Sequence, residues 1–154
     1  MSQVHAQRIA LVDIGKVLES MSDYQAAQKQ LDQMAAKWRQ EVDQEYDKIK
    51  SMYNKYQSEQ VLMSDEMRAK REEEIMKAEK AARKMQRDYF GPEGLLFQKR
   101  KELVQPIQDR VYRAIDDYAQ AKGLDIIFDM GGVGVIYNTD KYDKTEDIIN
   151  KLKK

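Results

Sequence analysis

From Asp23 to Leu62 the sequence contains neither proline nor glycine. Across that stretch apolar side chains recur three or four residues apart: Leu31, Ala35, Trp38, Val42, Ile49, Met52, Tyr56 and then Met63. Charged residues fill the intervening positions, and only Glu45 and Glu59 interrupt the apolar seam. About four heptads of this pattern specify a coiled-coil helix. At ~1.5 Å per residue such a helix is about 60 Å long. A globule of 154 residues has no interior that can hold it, so the chain must project an arm.

A second helix answers the first. Ser64 can cap it, and Asp65 and Glu66 occupy the first turn, where the helix dipole favours acids. Ile75, Ala78, Ala82, Met85 and Tyr89 continue the same spacing to about Phe90. Gly91-Pro92-Glu93-Gly94 interrupts the pattern, which resumes at Leu95 and ends near Gly123, a candidate C′ glycine. Pro106 inside this last stretch either starts a new helix or kinks the old one. A reversal at Met63-Ser64 pairs Leu31 with Leu96, Trp38 with Tyr89, Val42 with Met85, Ile49 with Ala78 and Met52 with Ile75. One register satisfies both seams, so residues 23–122 are expected to form an antiparallel helical hairpin.

The two ends of the chain read differently. Arg8 to Asp13 is a short β-branched run, apolar on both faces, followed by a helical turn over Lys16 to Met21. Leu124 to Met130 and Val133 to Asn138 are strand-like, and Gly131-Gly132 between them suits a tight hairpin. Thr145 is then expected to cap a short helix carrying Ile148, Ile149 and Leu152. The expected class is α+β: a β body of three strands and short helices from 8–22 and 123–154, with 23–122 inserted as an arm. Residues 1–7 are expected to be a flexible N-terminus. A body of about 50 residues has a marginal core alone and gains from burying its strand edges against other copies.

The residues exclude most chemistry. There is no cysteine, hence no disulfide and no thiol nucleophile. The single histidine, His5, sits in the terminal segment and has no second histidine to build a metal site. Glu72-Glu73-Glu74 are consecutive on a helix and point in different directions, as a solvated face does. Gly132-Val133-Gly134 opens no helix and is expected to be part of a turn rather than a phosphate loop. Neither catalysis, a cofactor nor a metal is expected. Lys and Arg number 27 and Asp and Glu number 27, so there is no basic excess for nucleic acid, and Lys99-Arg100-Lys101 reads as a solvated face. No run approaches the ~20 apolar residues of a membrane span. Val4-His5-Ala6 before Gln7 fits the end of a removed signal peptide, and equally an ordinary polar terminus.

Methionine and tyrosine, nine of each, are the informative excess. Met34, Met52, Met63, Met67, Met76 and Met85 lie along the arm, and methionine adapts to irregular apolar partners. Tyr46 and Tyr53, seven apart, form a stripe beside the seam that fits either a partner surface or edge packing. Leu62, Met63 and Met67 put apolar groups at the tip, where turn closure would also use them. Such an object is an interaction protein. It can hold a non-native chain by many weak contacts without ATP, or act as a coiled-coil adaptor for one folded partner.

Several local sequences resemble the Skp/OmpH family of periplasmic chaperones. Ile9-Ala10-Leu11-Val12-Asp13-Ile14-Gly15-Lys16-Val17-Leu18 is similar to that family's first strand and turn. Pro106-Ile107, Val111, Ala114-Ile115, Ala119, Gly123-Leu124-Asp125, Ile127 and Asp129 resemble its helix-to-strand segment. Val135-Ile136-Tyr137-Asn138, Asp147-Ile148-Ile149 and Leu152 resemble its closing strand and helix. The resemblance implies a periplasmic, jellyfish-shaped homotrimer that holds unfolded outer-membrane β-barrel proteins between its arms without ATP. It implies a trimer body built on Ile9, Leu11, Ile127, Phe128, Val135 and Ile136. Arm faces bearing Met34, Tyr46, Tyr53, Met63, Met67 and Met76 would contact clients, and Gly91, Pro92 and Gly94 would form a hinge. The chain departs from the family's basic members in being neutral. The family's basic lipopolysaccharide cluster has no match near Pro92 to Leu96, so that ligand is not carried over.

Overall fold

The computed structural model describes residues 6–153; Val4 and His5 lie outside them. The elements, in chain order, are β1 (Ile9–Val12), α1 (Ile14–Glu19), α2 (Ser22–Glu59), a 3-10 turn (Gln60–Leu62), α3 (Asp65–Phe90), α4 (Leu95–Lys122), β2 (Ile126–Asp129) and α5 (Thr145–Leu152). They make two compact units. One runs to Gln28 and resumes at Glu102; the other is Lys29–Lys101.

In the first unit β1 and β2 form a two-stranded parallel sheet, with Ile9 opposite Ile126 and Val12 opposite Asp129. Parallel neighbours need a long crossover, and here everything from α1 to α4 supplies it. The second edge of β1 is also occupied. Leu11 N–H donates to the Tyr142 carbonyl and Lys144 N–H donates to the Leu11 carbonyl, each at 2.8 Å. Val12, Val17, Leu18, Met21, Val111, Tyr118, Ile148 and Ile149 pack into one core. Asp13 caps α1 by accepting from Lys16 N–H at 2.9 Å. Gly123, at φ 60, ends α4 as expected of a C′ glycine. α4 runs unbroken through Pro106, which is exposed, where a missing helical hydrogen bond costs least.

Two expectations are corrected. Val133–Asn138 forms no strand. A two-residue hairpin at Gly131-Gly132 needs positive φ, and neither glycine adopts it. Instead the Asp129 carboxylate accepts from Gly131 N–H at 3.0 Å, and Gly132 and Val133 N–H both turn back to the Asp129 carbonyl at 3.1 Å. The body sheet therefore has two strands rather than three among the described residues. Thr145 is the first residue of α5 rather than its cap. Its hydroxyl accepts from Asp13 N–H at 3.0 Å and donates to Asp143 at 2.6 Å, tying three segments together.

The second unit is the hairpin. Leu31, Val42 and Ile49 of α2 and Ile75 and Ala82 of α3 are buried. Trp38 stacks on Tyr89 with ring centroids 5.1 Å apart, the pair expected from a reversal at Met63-Ser64. Cross-helix bonds join Glu41 with Tyr89, Tyr46 with Gln86, Tyr53 with Glu79 and Tyr56 with Glu72. Partner numbers fall as the α2 numbers rise, as a hairpin requires. The turn closes by Met63 N–H to the Gln60 carbonyl at 3.2 Å, and Ser64 Oγ caps α3 by accepting from Met67 N–H at 3.2 Å.

Between α3 and α4 the backbone folds tightly on itself. A Cβ on Gly91 would lie 2.5 Å from the Arg87 carbonyl oxygen, and one on Gly94 would lie 2.9 Å from those of Asp88 and Tyr89. These two glycines are there because backbone approaches backbone.

Candidate interaction surfaces

Each unit leaves apolar groups uncovered. In the first, β1 is sealed on both edges while β2 is an edge strand. β2 alternates exposed and half-buried residues, so Ile126 and Phe128 face outward while Ile127 packs on the core. Beyond the turn, Ile136 is 100% exposed and Tyr137 82%. Val133 and Tyr142 add to the exposed apolar set of this unit. Monomeric proteins seldom leave such a concentration uncovered.

Of the residues expected to build the body, Leu11 is already buried within the single chain. Ile9, Ile127 and Val135 are half-buried, and Phe128 and Ile136 are exposed. The body residues expected from the sequence do not include Ile126, Tyr137 or Tyr142. Their signal was there in part, since Ile126 and Phe128 share one face of a strand by period-two alternation.

The arm presents a different surface. Met34 and Met63 are half-buried, and Met67 and Met76 are exposed. Tyr46 and Tyr53 keep about two-fifths of their surface, yet their hydroxyls are engaged. Tyr46 donates to Gln86 at 3.4 Å and Tyr53 to Glu79 at 2.8 Å. The bond to Glu79, then partial desolvation, raises the Tyr53 hydroxyl above its ordinary pKa. Bonds to Glu72 and Glu41 do the same for Tyr56 and Tyr89. Tyr46, Tyr53 and Tyr56 stitch the hairpin along one flank. At the tip Val61 is 82% exposed and Leu62 87%, so turn closure does not use them. Val61 is the tip residue that sequence reading passed over.

A cleft of about 340 Å³ in the first unit is lined by Met21, Asp23, Arg110, Ile149, Leu152 and Lys153, and Arg110 pairs with Asp23 there at 2.8 Å. No buried side-chain polar atom among the described residues lacks a partner. No cluster of acidic and histidine side chains there could hold a metal, and no helix there is long and apolar enough to cross a membrane.

One unit thus holds a two-stranded parallel sheet with short helices, and the other a long helical hairpin. Residues 8–152 match the model of the family described as outer membrane protein, OmpH-like. The chain belongs to the OmpH-like family. The match takes in both strands, the whole hairpin and α5, so it covers every described element. The fold is similar to the crystal structure of a candidate outer membrane chaperone, OmpH-like, from Caulobacter crescentus CB15. The TM-score is 0.75 over 99% of this chain and 87% of that one. Identity between the two is 9%, so this likeness is one of fold. No curated protein matches the chain. The OmpH-like assignment confirms the resemblance read from the two ends.

Proposed function

We propose that this OmpH-like protein is an ATP-independent holdase of the periplasm. Its clients are unfolded outer-membrane β-barrel proteins, which it keeps from aggregating in a space between helical arms. The observation that carries the reading is the surface left apolar after the hairpin has closed on itself. Val61 and Leu62 at the tip and Met67 on α3 remain exposed although seam, turn and cap are complete. Exposed, unbranched or aliphatic groups suit many loosely matched partners rather than one shaped ligand. The family assignment and the chaperone likeness support the same reading.

The active form in this proposal is a homotrimer. Phe128, Ile136 and Tyr137, on and beyond the open strand β2, are the surface that would meet other copies, with Ile9, Leu11, Ile127 and Val135 behind them. Several arms on one body bind by effective concentration, so weak contacts suffice. The Gly91-Pro92-Gly94 interruption is the proposed hinge of the arm. The reading calls for no cofactor, metal, nucleic acid or membrane span.

Native mass spectrometry of the protein, alone and with a urea-unfolded outer-membrane β-barrel diluted into it, tests the proposal. A trimer that takes up one client chain without nucleotide is the expected result. A monomer or dimer that leaves the client to aggregate overturns it. Capture of a single folded partner in place of unfolded chains would favour an adaptor.

A further inference from the structure

The two flanks of the arm differ in chemistry. On α2, Ile49 is buried, with Tyr46 and Tyr53 to one side of it and Glu45 and Met52 to the other. On α3, Ile75 and Ala82 are buried, with Glu79 and Gln86 to one side and Ala78 and Met85 to the other. The hydrogen bonds show which sides meet. Tyr46 reaches Gln86 and Tyr53 reaches Glu79, so those four residues share one flank. Tyr56 to Glu72 continues the series, and Glu72, Glu79 and Gln86 recur at heptad spacing. This flank is a ladder whose polar groups already have each other as partners.

The opposite flank carries Met52 and Met85, both half-buried, with the small Ala78 between their levels. Met34 takes the same position relative to Leu31 as Met52 does to Ile49, and Met67 lies on that side of α3 toward the tip. The described bond across this flank is Tyr89 to Glu41 at 2.6 Å, near its base. Two ion pairs lie along it, Glu45 with Lys48 and Glu74 with Arg71. A cavity of about 210 Å³ on α3 is lined by Met67, Lys70, Arg71 and Glu74.

We infer that the methionine flank of the arm, and not the tyrosine flank, is the surface along which an extended client chain lies. The inference rests on the holdase reading and adds a side to it. The occupant is an unfolded β-barrel segment, in which every second side chain is apolar. Methionines spaced along the flank, Met34 and Met52 on α2 and Met67 and Met85 on α3, meet such a segment in many registers without demanding one. At the end of the arm Val61 and Leu62 are exposed as well. The tyrosine ladder keeps the hairpin closed while the other side is occupied.

Methionine ε-methyl NMR on the unmodified full-length protein tests this, with a urea-unfolded eight-stranded outer-membrane β-barrel as the probe. Native mass spectrometry of the same sample reports whether a complex forms. The ε-methyl signals of Met34, Met52, Met67 and Met85 should shift or broaden on complex formation. Those of Met21, buried in the first unit, and Met76, next to Ile75 but outside the seam, should hold their positions. A complex in which Met21 or Met76 moves as much as the four, or in which the four stay silent, overturns the flank assignment and leaves the holdase reading standing. If no complex forms, the holdase reading falls and the flank assignment with it.

Discussion

Tyr118 on α4 donates its hydroxyl to Asp147 on α5 at 2.5 Å, with its ring buried in the core. Burial first, and then the bond to Asp147, push the Tyr118 hydroxyl up to about 12. In the unfolded chain it titrates near 10. The folded form therefore binds this proton more tightly, and the stability it contributes is complete below about pH 10. It is lost as pH rises from about 10 to about 12. Thermal unfolding measured against pH should show this alkaline loss, and Tyr118→Phe should flatten it. The variant should also cost about 1 kcal/mol at neutral pH, where the bond is intact. An unchanged alkaline slope in Tyr118→Phe would assign the loss to the arm tyrosines instead.

Ile136 and Tyr137 touch little within the chain, since the first is wholly exposed and the second nearly so. Replacing Ile136 with Asp should leave the monomer's unfolding within about 0.5 kcal/mol, as other surface changes do. It should nevertheless abolish assembly as read by sedimentation velocity. Ile148→Ala supplies the contrast. Ile148 is fully buried, and its loss should cost about 2–5 kcal/mol and unfold the first unit. A trimer that survives Ile136→Asp would move the assembly surface away from the segment after β2.

Gly94 is buried where three backbone atoms, of Asp88, Tyr89 and Gly91, would each meet an added Cβ at 2.9 Å. None of those atoms is the end of a flexible side chain. Gly94→Ala should therefore shift the backbone and lower stability by about 1–3 kcal/mol. Replacing residues 91–94 with a continuous helical sequence tests the hinge separately. If the break lets the arm bend, that variant should hold a narrower range of client sizes in a light-scattering aggregation assay. An unchanged range would reduce the interruption to a fixed connection between α3 and α4.

The arm was legible because its signal is local. A glycine- and proline-free run with one apolar spacing can bury that stripe only as a helix, and Leu31, Val42, Ile49, Ile75 and Ala82 are indeed the buried positions. The Trp38–Tyr89 stack followed from one reversal point. The third strand misled because its signal was also local. Val133–Asn138 has β-forming residues, but its pairing depended on what else could reach the sheet. Tyr142 to Lys144 took the second edge of β1 instead, through backbone bonds that any residue type can make. The same limit applies to the tyrosines. The seven-residue stripe of Tyr46 and Tyr53 was visible, while their acceptors lie 40 and 26 residues away. Thr145 has the composition of a cap, yet its hydroxyl serves Asp13 and Asp143.

Val61 and Leu62 offer the most economical test of whether apolar arm surface does the holding. Both are more than four-fifths exposed, and the turn beneath them closes through backbone bonds and the Ser64 cap. Changing both to Ser should leave the arm folded, with helicity and melting temperature within error of the parent. If the tip extends the client track, the double variant should need a higher protein concentration to keep an unfolded β-barrel from scattering light. Each exposed aliphatic side chain buried on a client contributes about 1.5–3 kcal/mol at most. Ordering a flexible chain takes back much of that. A loss of roughly threefold to thirtyfold in apparent affinity is therefore expected, at about 1.4 kcal/mol per factor of ten. Equal protection by parent and variant would confine client contact to the flanks of α2 and α3.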